Sequence, residues 1–409
     1  MTRTILTVSA ALLGLAWVVC VAPAGAGSVS GDVVKIGIMN DQSGPYADNC
    51  GPGSVAAARL AVQDAGGTVG GKKIEIVVAD DQNKPDVGAL AAKKWIDDEG
   101  VDAIVGCSTS AIALAVSDFM KERGKPYLLA GTASSAFTNE KCSPMTTQWV
   151  QDTYALSRAT VKSLLTQAQD TWFFITVDYA FGKAWQADTT RFIEQGGGKV
   201  VGSVLHPLNT SDFSSFLLRA QSSKAKVIAL ANSGSDFANV MKQAQEFGIA
   251  QGGQKLAPLG LFINATHAIG LPVLQGVRLT TPFYWDRTEE TRAFAKRYQA
   301  AFGGRMPNEA QASTYSAVRH YLKAVAAAGT DEGEAVTAKM RALPVEDFEM
   351  KGVAIRADGQ VMRPLYAARI KAPGESRYPY DYYEIVSTVA AQDAWRPPSE
   401  SACPALKAQ

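Results

Sequence analysis

The chain has 409 residues, 47% of them hydrophobic and 19% charged, which suits two packed domains and excludes a disordered polar chain. Its formal net charge is only +1, so no global field favours nucleic acid or an anionic membrane.

Taken in order, Arg3 and an apolar run from Ile5 to Val21 precede Ala24-Gly25-Ala26, a small-x-small cleavage pattern. The run is shorter than the roughly 20 apolar residues a spanning helix needs, and Val19 is too bulky to make Cys20 a lipidation site. Residues 1–26 are therefore expected to be a signal peptide cut after Ala26, sending the protein to the periplasm. Without them, basic and acidic residues balance at 39 each.

Val33 to Ile38 is a β-branched run of the kind a buried parallel strand needs. It stops at Asn40-Asp41, a polar loop runs to Tyr46, and Gly51-Pro52-Gly53-Ser54 opens a helix with Val55, Ala58, Leu60, Ala61 and Val62. Strand, loop and helix form the first unit of an open α/β sheet, whose ligands sit beyond the carboxyl ends of the strands. The next loop, GGTVGGKK, nearly matches a phosphate-binding loop but has Lys73 in place of Ser/Thr and precedes a strand. It reads as a hairpin-like connection.

A strand over Ile74 to Ala79 and a helix over Val87 to Glu99 follow. The strands Ala103 to Gly106 and Pro126 to Ala130 then end in Cys107-Ser108-Thr109-Ser110 and Gly131-Thr132-Ala133-Ser134-Ser135. Such hydroxyl residues cap helices, and with free backbone N–H groups they also form anion sites, for which a carboxylate is a natural small guest. Cys142 to Asp152 reads as a crossover. The pattern repeats in a second sheet: Trp172 to Val177 with Asp178-Tyr179-Ala180-Phe181-Gly182, Val200 to Leu205, Val227 to Leu230 leading to Asp236, and Leu256 to Ile263. Gly276 to Trp285 reads as the return, and helices 289–302 and 309–328 as packing on the first lobe. Strands at 353–356 and 361–370 flank Ala357-Asp358-Gly359, where Asp-Gly favours a tight hairpin.

Catalytic machinery is not legible. His206, His267 and His320 accompany no nucleophile pattern, and no Gly-x-Ser-x-Gly, His-Glu-x-x-His or strand-borne Gly-x-Gly-x-x-Gly occurs. Catalysis, a cofactor and a metal are therefore not expected. Beyond the signal peptide, Cys50, Cys107, Cys142 and Cys403 allow three disulfide connectivities. Cys50 and Cys107 both follow predicted strands at one sheet edge, where they can meet; free buried thiols are the alternative.

The string Asn40-Asp41-x-Ser43-Gly44-Pro45-Tyr46-Ala47 resembles the first strand and loop of the Leu/Ile/Val-type (type I) periplasmic binding proteins, the solute receptors of ABC importers. Gln151-Asp152-Thr153-Tyr154 and Asp178 to Gly182 are similar to stretches in the amino-acid-binding domains of metabotropic glutamate receptors, which share that fold. The resemblance implies two doubly wound α/β Rossmann-like lobes joined by three crossovers, one from 27–147 plus 283–345 and the other from 148–282 plus 346–409. It also implies a Cys142–Cys403 disulfide.

By the same resemblance, Ser108, Thr109, Ser110, Thr132, Ala133 and Ser134 would hold a ligand carboxylate. Asp152, Tyr179 and Asp236 would surround its ammonium. Tyr46 is a further candidate for the wall, and Phe283 and Trp285 are candidates for it or, more often in such positions, for packing at the hinge. The implied role is a monomeric carrier that captures an amino acid and delivers it to a membrane permease. A small aromatic or aliphatic carboxylic acid is the alternative ligand, and a ligand-sensing receptor domain the alternative role.

Overall fold

The computed structural model describes residues 28–165 and 170–407, so the expected signal peptide and Cys20 lie outside the described residues. Lobe 1 is built on β1 (Val33–Asn40), β2 (Thr68–Val69), β3 (Lys72–Asp80), β4 (Ala103–Cys107), β5 (Tyr127–Leu129) and β6 (Thr146–Gln148). They are ordered β2-β3-β1-β4-β5-β6, parallel throughout except for the β2–β3 pair. That pair is the expected hairpin: Val69 faces Lys72 across Gly70 and Gly71, whose φ values of +56° and +79° demand glycine. Val34, Ile36 and Ile38 of β1 are buried in the main apolar core. Each contributes about 1.5–3 kcal/mol by leaving water.

Helices α1 (Gly51–Asp64), α2 (Pro85–Lys93) and α3 (Ser110–Glu122) connect these strands. The predicted helix 87–99 is α2 continued by a π-helical turn, Lys94–Asp98, that seats Trp95 in the core.

Lobe 2 carries β7 (Thr171–Val177), β8 (Lys199–His206), β9 (Val227–Ala231) and β10 (Lys255–Pro258), all parallel in the order β10-β9-β7-β8. Its helices are α4 (Thr153–Leu164), α5 (Ala180–Gln195), α6 (Ser214–Ser222), α7 (Gly234–Glu246), α8 (Ile263–Ile269) and α9 (Leu271–Leu274). The predicted strand 256–263 stops at Pro258. Gly260 then passes so close to Trp185 that a Cβ there would come within 2.5 Å of the indole, and Ile263 already begins α8.

The chain next runs through β11 (Arg278–Thr281) to α10 (Glu289–Ala301), α11 (Glu309–Ala328) and α12 (Gly333–Ala342). As expected, α10 and α11 pack against α1 of lobe 1. Sequence reasoning missed a third sheet, in which β11, β12 (Leu365–Ile370) and β13 (Tyr383–Val389) pair antiparallel and β11 packs on α4. The Ala357-Asp358-Gly359 turn forms, but its arms make only the single bridges Val345–Val353 and Ile355–Val361, and β12 starts at Leu365 instead of 361. Gln360 leaves that hairpin to bridge Gln148 at the edge of the lobe 1 sheet.

The implied Cys142–Cys403 pair is joined, and so is Cys50–Cys107, which the sequence left open. Cys50–Cys107 and Cys142–Cys403 have Cα separations of 5.9 and 5.7 Å.

Candidate functional site

Each sheet reverses its order between two central strands, β1 and β4 in lobe 1 and β7 and β9 in lobe 2. Loops leaving neighbouring strands diverge there and open a crevice. The two crevices face each other across a cavity of about 60 Å³, several times the minimum for one water. Lobe 1 supplies Tyr46, Asn49 and Cys50 after β1, Cys107 to Ser110 at the end of β4, and Gly131 and Ala133 after β5. Lobe 2 supplies Tyr179, Phe181 and Trp185 after β7, Ser233 after β9, and Gly260 and Phe262 after β10. Val150, Gln151 and Leu156 complete the wall from the first crossover and α4.

The lobes meet around this cavity. The Tyr46 and Tyr179 hydroxyls lie 2.8 Å apart, Asn49 Nδ2 donates to Ser233 Oγ at 3.2 Å, and the Ser235 N–H donates to the Pro45 carbonyl at 3.2 Å. Burial raises the pKa of both tyrosines above the phenol range, so the bridge is between neutral hydroxyls.

Among the described residues, no Lys, Arg, His, Asp or Glu lines the cavity. Its polarity comes from helix ends. Cys50, Thr109, Tyr179 and Ser233 are the N-cap residues of α1, α3, α5 and α7, and none makes a side-chain cap bond to its own helix. Four positive dipole ends thus converge on a neutral chamber, an arrangement that favours an anion. Three buried side-chain atoms of the wall also lack a partner: Ser110 Oγ, Trp185 Nε1 and Gln151 Oε1. Two of these can donate and one accepts.

Of the residues expected from the sequence, the structure brings Tyr46, Ser108, Thr109, Ser110, Ala133 and Tyr179 together at the wall. Six lie elsewhere. Thr132 turns inward to donate to the Ser108 carbonyl at 2.8 Å, and Ser134 caps a 3₁₀ turn by accepting from the Ala136 N–H. Asp152 caps α4, accepting from the Ala155 N–H at 2.8 Å, and burial raises its pKa to about 7. Asp236 accepts from the Asn209 N–H at 3.1 Å, with burial raising it to about 6. Phe283 packs edge-on against Phe348, and Trp285 Nε1 donates to the Tyr380 carbonyl at 3.1 Å, so neither reaches the cavity wall. The sequence reading did not select Asn49, Gln151, Phe181, Trp185, Ser233 or Phe262. The first five sit in or beside motifs it had singled out; Phe262 carries no signal apart from its place beyond a strand.

A profile of the periplasmic binding protein family matches residues 33–375. A periplasmic binding protein from Burkholderia mallei superposes with a TM-score of 0.89 at 45% identity, over 91% of this chain and 99% of that one. A branched-chain amino acid ABC transporter periplasmic ligand-binding protein from Burkholderia xenovorans gives 0.80 at 36% identity, over 91% of this chain and all of that one. A Leu/Ile/Val-binding protein homologue from Brucella melitensis is 26% identical over 279 residues, 66% of this chain and 70% of its own length. Two facing α/β lobes around a shared cavity and these matches agree: the chain belongs to the type I periplasmic binding proteins, solute receptors of ABC transporters and not enzymes.

Proposed function

We propose that this protein captures a small carboxylic acid lacking an α-amine, aromatic or branched aliphatic, and delivers it as a monomer to an inner-membrane ABC permease. Export through residues 1–26 with cleavage after Ala26 belongs to the same proposal, and N-terminal sequencing of the exported protein should begin at Gly27. The observation that carries the ligand class is the unpartnered Ser110 hydroxyl beside the open N-terminus of α3, in a chamber whose described wall holds no carboxylate. A carboxylate supplies the missing acceptors, and Phe181, Trp185, Leu156 and Val150 surround an apolar remainder. An ammonium in the same chamber would lack a lining counter-charge, which costs several kcal/mol.

One observation favours an amino acid instead. Asp236 Oδ1 is buried without a partner, and its charge is close enough to disfavour ionisation of both bridging tyrosines. An ammonium seated beside Tyr179 would gain from that carboxylate.

Calorimetric titration of matched pairs separates the readings. 3-Phenylpropanoate and 4-methylpentanoate should bind at least about tenfold tighter than L-phenylalanine and L-leucine, a difference of roughly 1.4 kcal/mol or more. Tighter binding of the amino acids would reverse the proposal. In the same series Asp152→Ala should lower stability by about 1 kcal/mol through the lost cap and leave ligand affinity unchanged.

A further inference from the structure

We infer that the Cys50–Cys107 disulfide is a wall of the ligand chamber that fixes its shape, so that the chamber binds only while the bond is closed. This rests on the reading of the inter-lobe cavity as the ligand site. Both half-cystines line that cavity. Cys50 is the N-cap of α1, and Cys107 ends β4 two residues before Thr109, the N-cap of α3. The bond therefore clamps together two of the helix ends that give the chamber its anion-favouring character.

The bond is tightly packed. A Cβ on Gly131 would stand 1.8 Å from Cys107 Sγ and 2.9 Å from Cys50 Sγ, so the β5 loop backbone already touches the sulfurs. Ala310, fully buried, packs on them from α11, with Phe262 against the same cluster. Bonded sulfurs lie about 2.0 Å apart, whereas two thiols need nearly twice that. With Gly131 and Ala310 packed against them, the separated sulfurs have open space in the cavity that they line. Reduction thus crowds the chamber and releases the clamp between α1 and α3. The Cys142–Cys403 bond joins the loop before β6 to the C-terminal segment and touches no part of the chamber.

In a Cys142→Ser/Cys403→Ser variant, dithiothreitol can open only the Cys50–Cys107 bond. Two electrons and two protons pass to the sulfurs, giving two thiols, while the reagent closes to its cyclic disulfide. The oxidised variant should bind 3-phenylpropanoate within about twofold of the parent, and the reduced variant at least about tenfold more weakly, with unchanged far-ultraviolet circular dichroism. A second readout needs no ligand: in the folded, reduced variant, iodoacetamide should alkylate Cys50 or Cys107 through the cleft. Equal affinity in the oxidised and reduced forms overturns the inference. If 3-phenylpropanoate fails to bind even the oxidised protein, the ligand class is at fault, and alkylation alone decides: thiols that resist it in a folded protein overturn the wall role. Should the double variant not fold, partial reduction of the parent, with mapping that shows Cys142–Cys403 still closed and Cys50–Cys107 open, gives the same comparison.

Discussion

Raising the pH from 5.5 to 8.0 should lower the melting temperature of the ligand-free protein by several degrees. Glu309 is buried at the start of α11, with Gln151 Nε2 3.3 Å from its Oε1 as its side-chain partner. Burial raises its pKa from 4.5 to about 8, outweighing its own backbone N–H, Gln151 and the more distant Arg363, while Glu349 adds to the rise. Asp152 is raised from 3.8 to about 7 by burial and by Asp188, against the pull of the Ala155 N–H and Arg396. In both cases the folded protein holds its proton more tightly than the unfolded chain. The resulting stabilisation is complete below the unfolded values and is lost as pH climbs through 4.5 to 8 for Glu309 and 3.8 to 7 for Asp152. Each tenfold difference in proton affinity between the folded and unfolded chain is worth about 1.4 kcal/mol, so the two groups together correspond to a loss on the order of 2–5 kcal/mol across the interval. His206 and His320, whose buried imidazoles have lowered pKa values and gain stability as pH rises, offset part of that loss. Scanning calorimetry at the two pH values measures it, and Glu309→Gln, which keeps the shape without the titration, should flatten the dependence. A melting temperature that holds or rises at pH 8 would contradict the argument.

Glu309 also shows where the sequence stops being informative. The run Val33–Asn40 announces a buried strand, and the hydroxyl clusters after β4 and β5 announce helix starts, because periodicity and capping are local properties. The side of a helix start on which an acid falls is not local. Asp152 follows a crossover and precedes a helix, as a ligand-binding acid or a cap would, and only the packing of α4 against the lobe turns it to the Ala155 N–H. Gln151, its neighbour, faces the chamber instead. One residue of rotation decides which of the two lines the cavity. The third sheet was hidden for a related reason: in β13 Tyr383, Ile385 and Val389 share the more buried face, but Ser387 interrupts it and Val386, 63% exposed, puts an apolar residue on the other, which blurs the alternation. The missed aromatics Phe181 and Trp185 are one helical turn apart on α5, a spacing that serves core and cavity equally well.

The largest stability loss should come from Arg363→Met, at about 3–5 kcal/mol. Arg363 and Glu349 are 3% and 1% exposed as side chains; Arg363 Nη2 donates to Glu349 Oε2 at 2.6 Å and to the Pro282 carbonyl at 2.7 Å. Pro282 belongs to the segment returning to α10, Glu349 to the segment leaving α12, and the Trp395 indole donates to the Arg363 carbonyl at 2.8 Å. A single guanidinium thus ties together segments on which, in our reading, the lobes hinge. Removing the cation strands a buried carboxylate, which costs far more than the intact pair contributes. Replacing both partners, as Arg363→Met with Glu349→Leu, removes the stranded charge and should recover most of the loss; a double variant no more stable than the single one would assign the damage to packing instead. The pH behaviour gives an independent check. Burial already raises Glu349 to about 7 against the opposing pull of Arg363, and without that pull it must rise further. At pH 5.5 the stranded group can stay protonated and the loss is limited. At pH 8.0 the protein must either ionise it in the core or bind a proton against the solution, so Arg363→Met should be more damaging there, and the double variant should show no such difference.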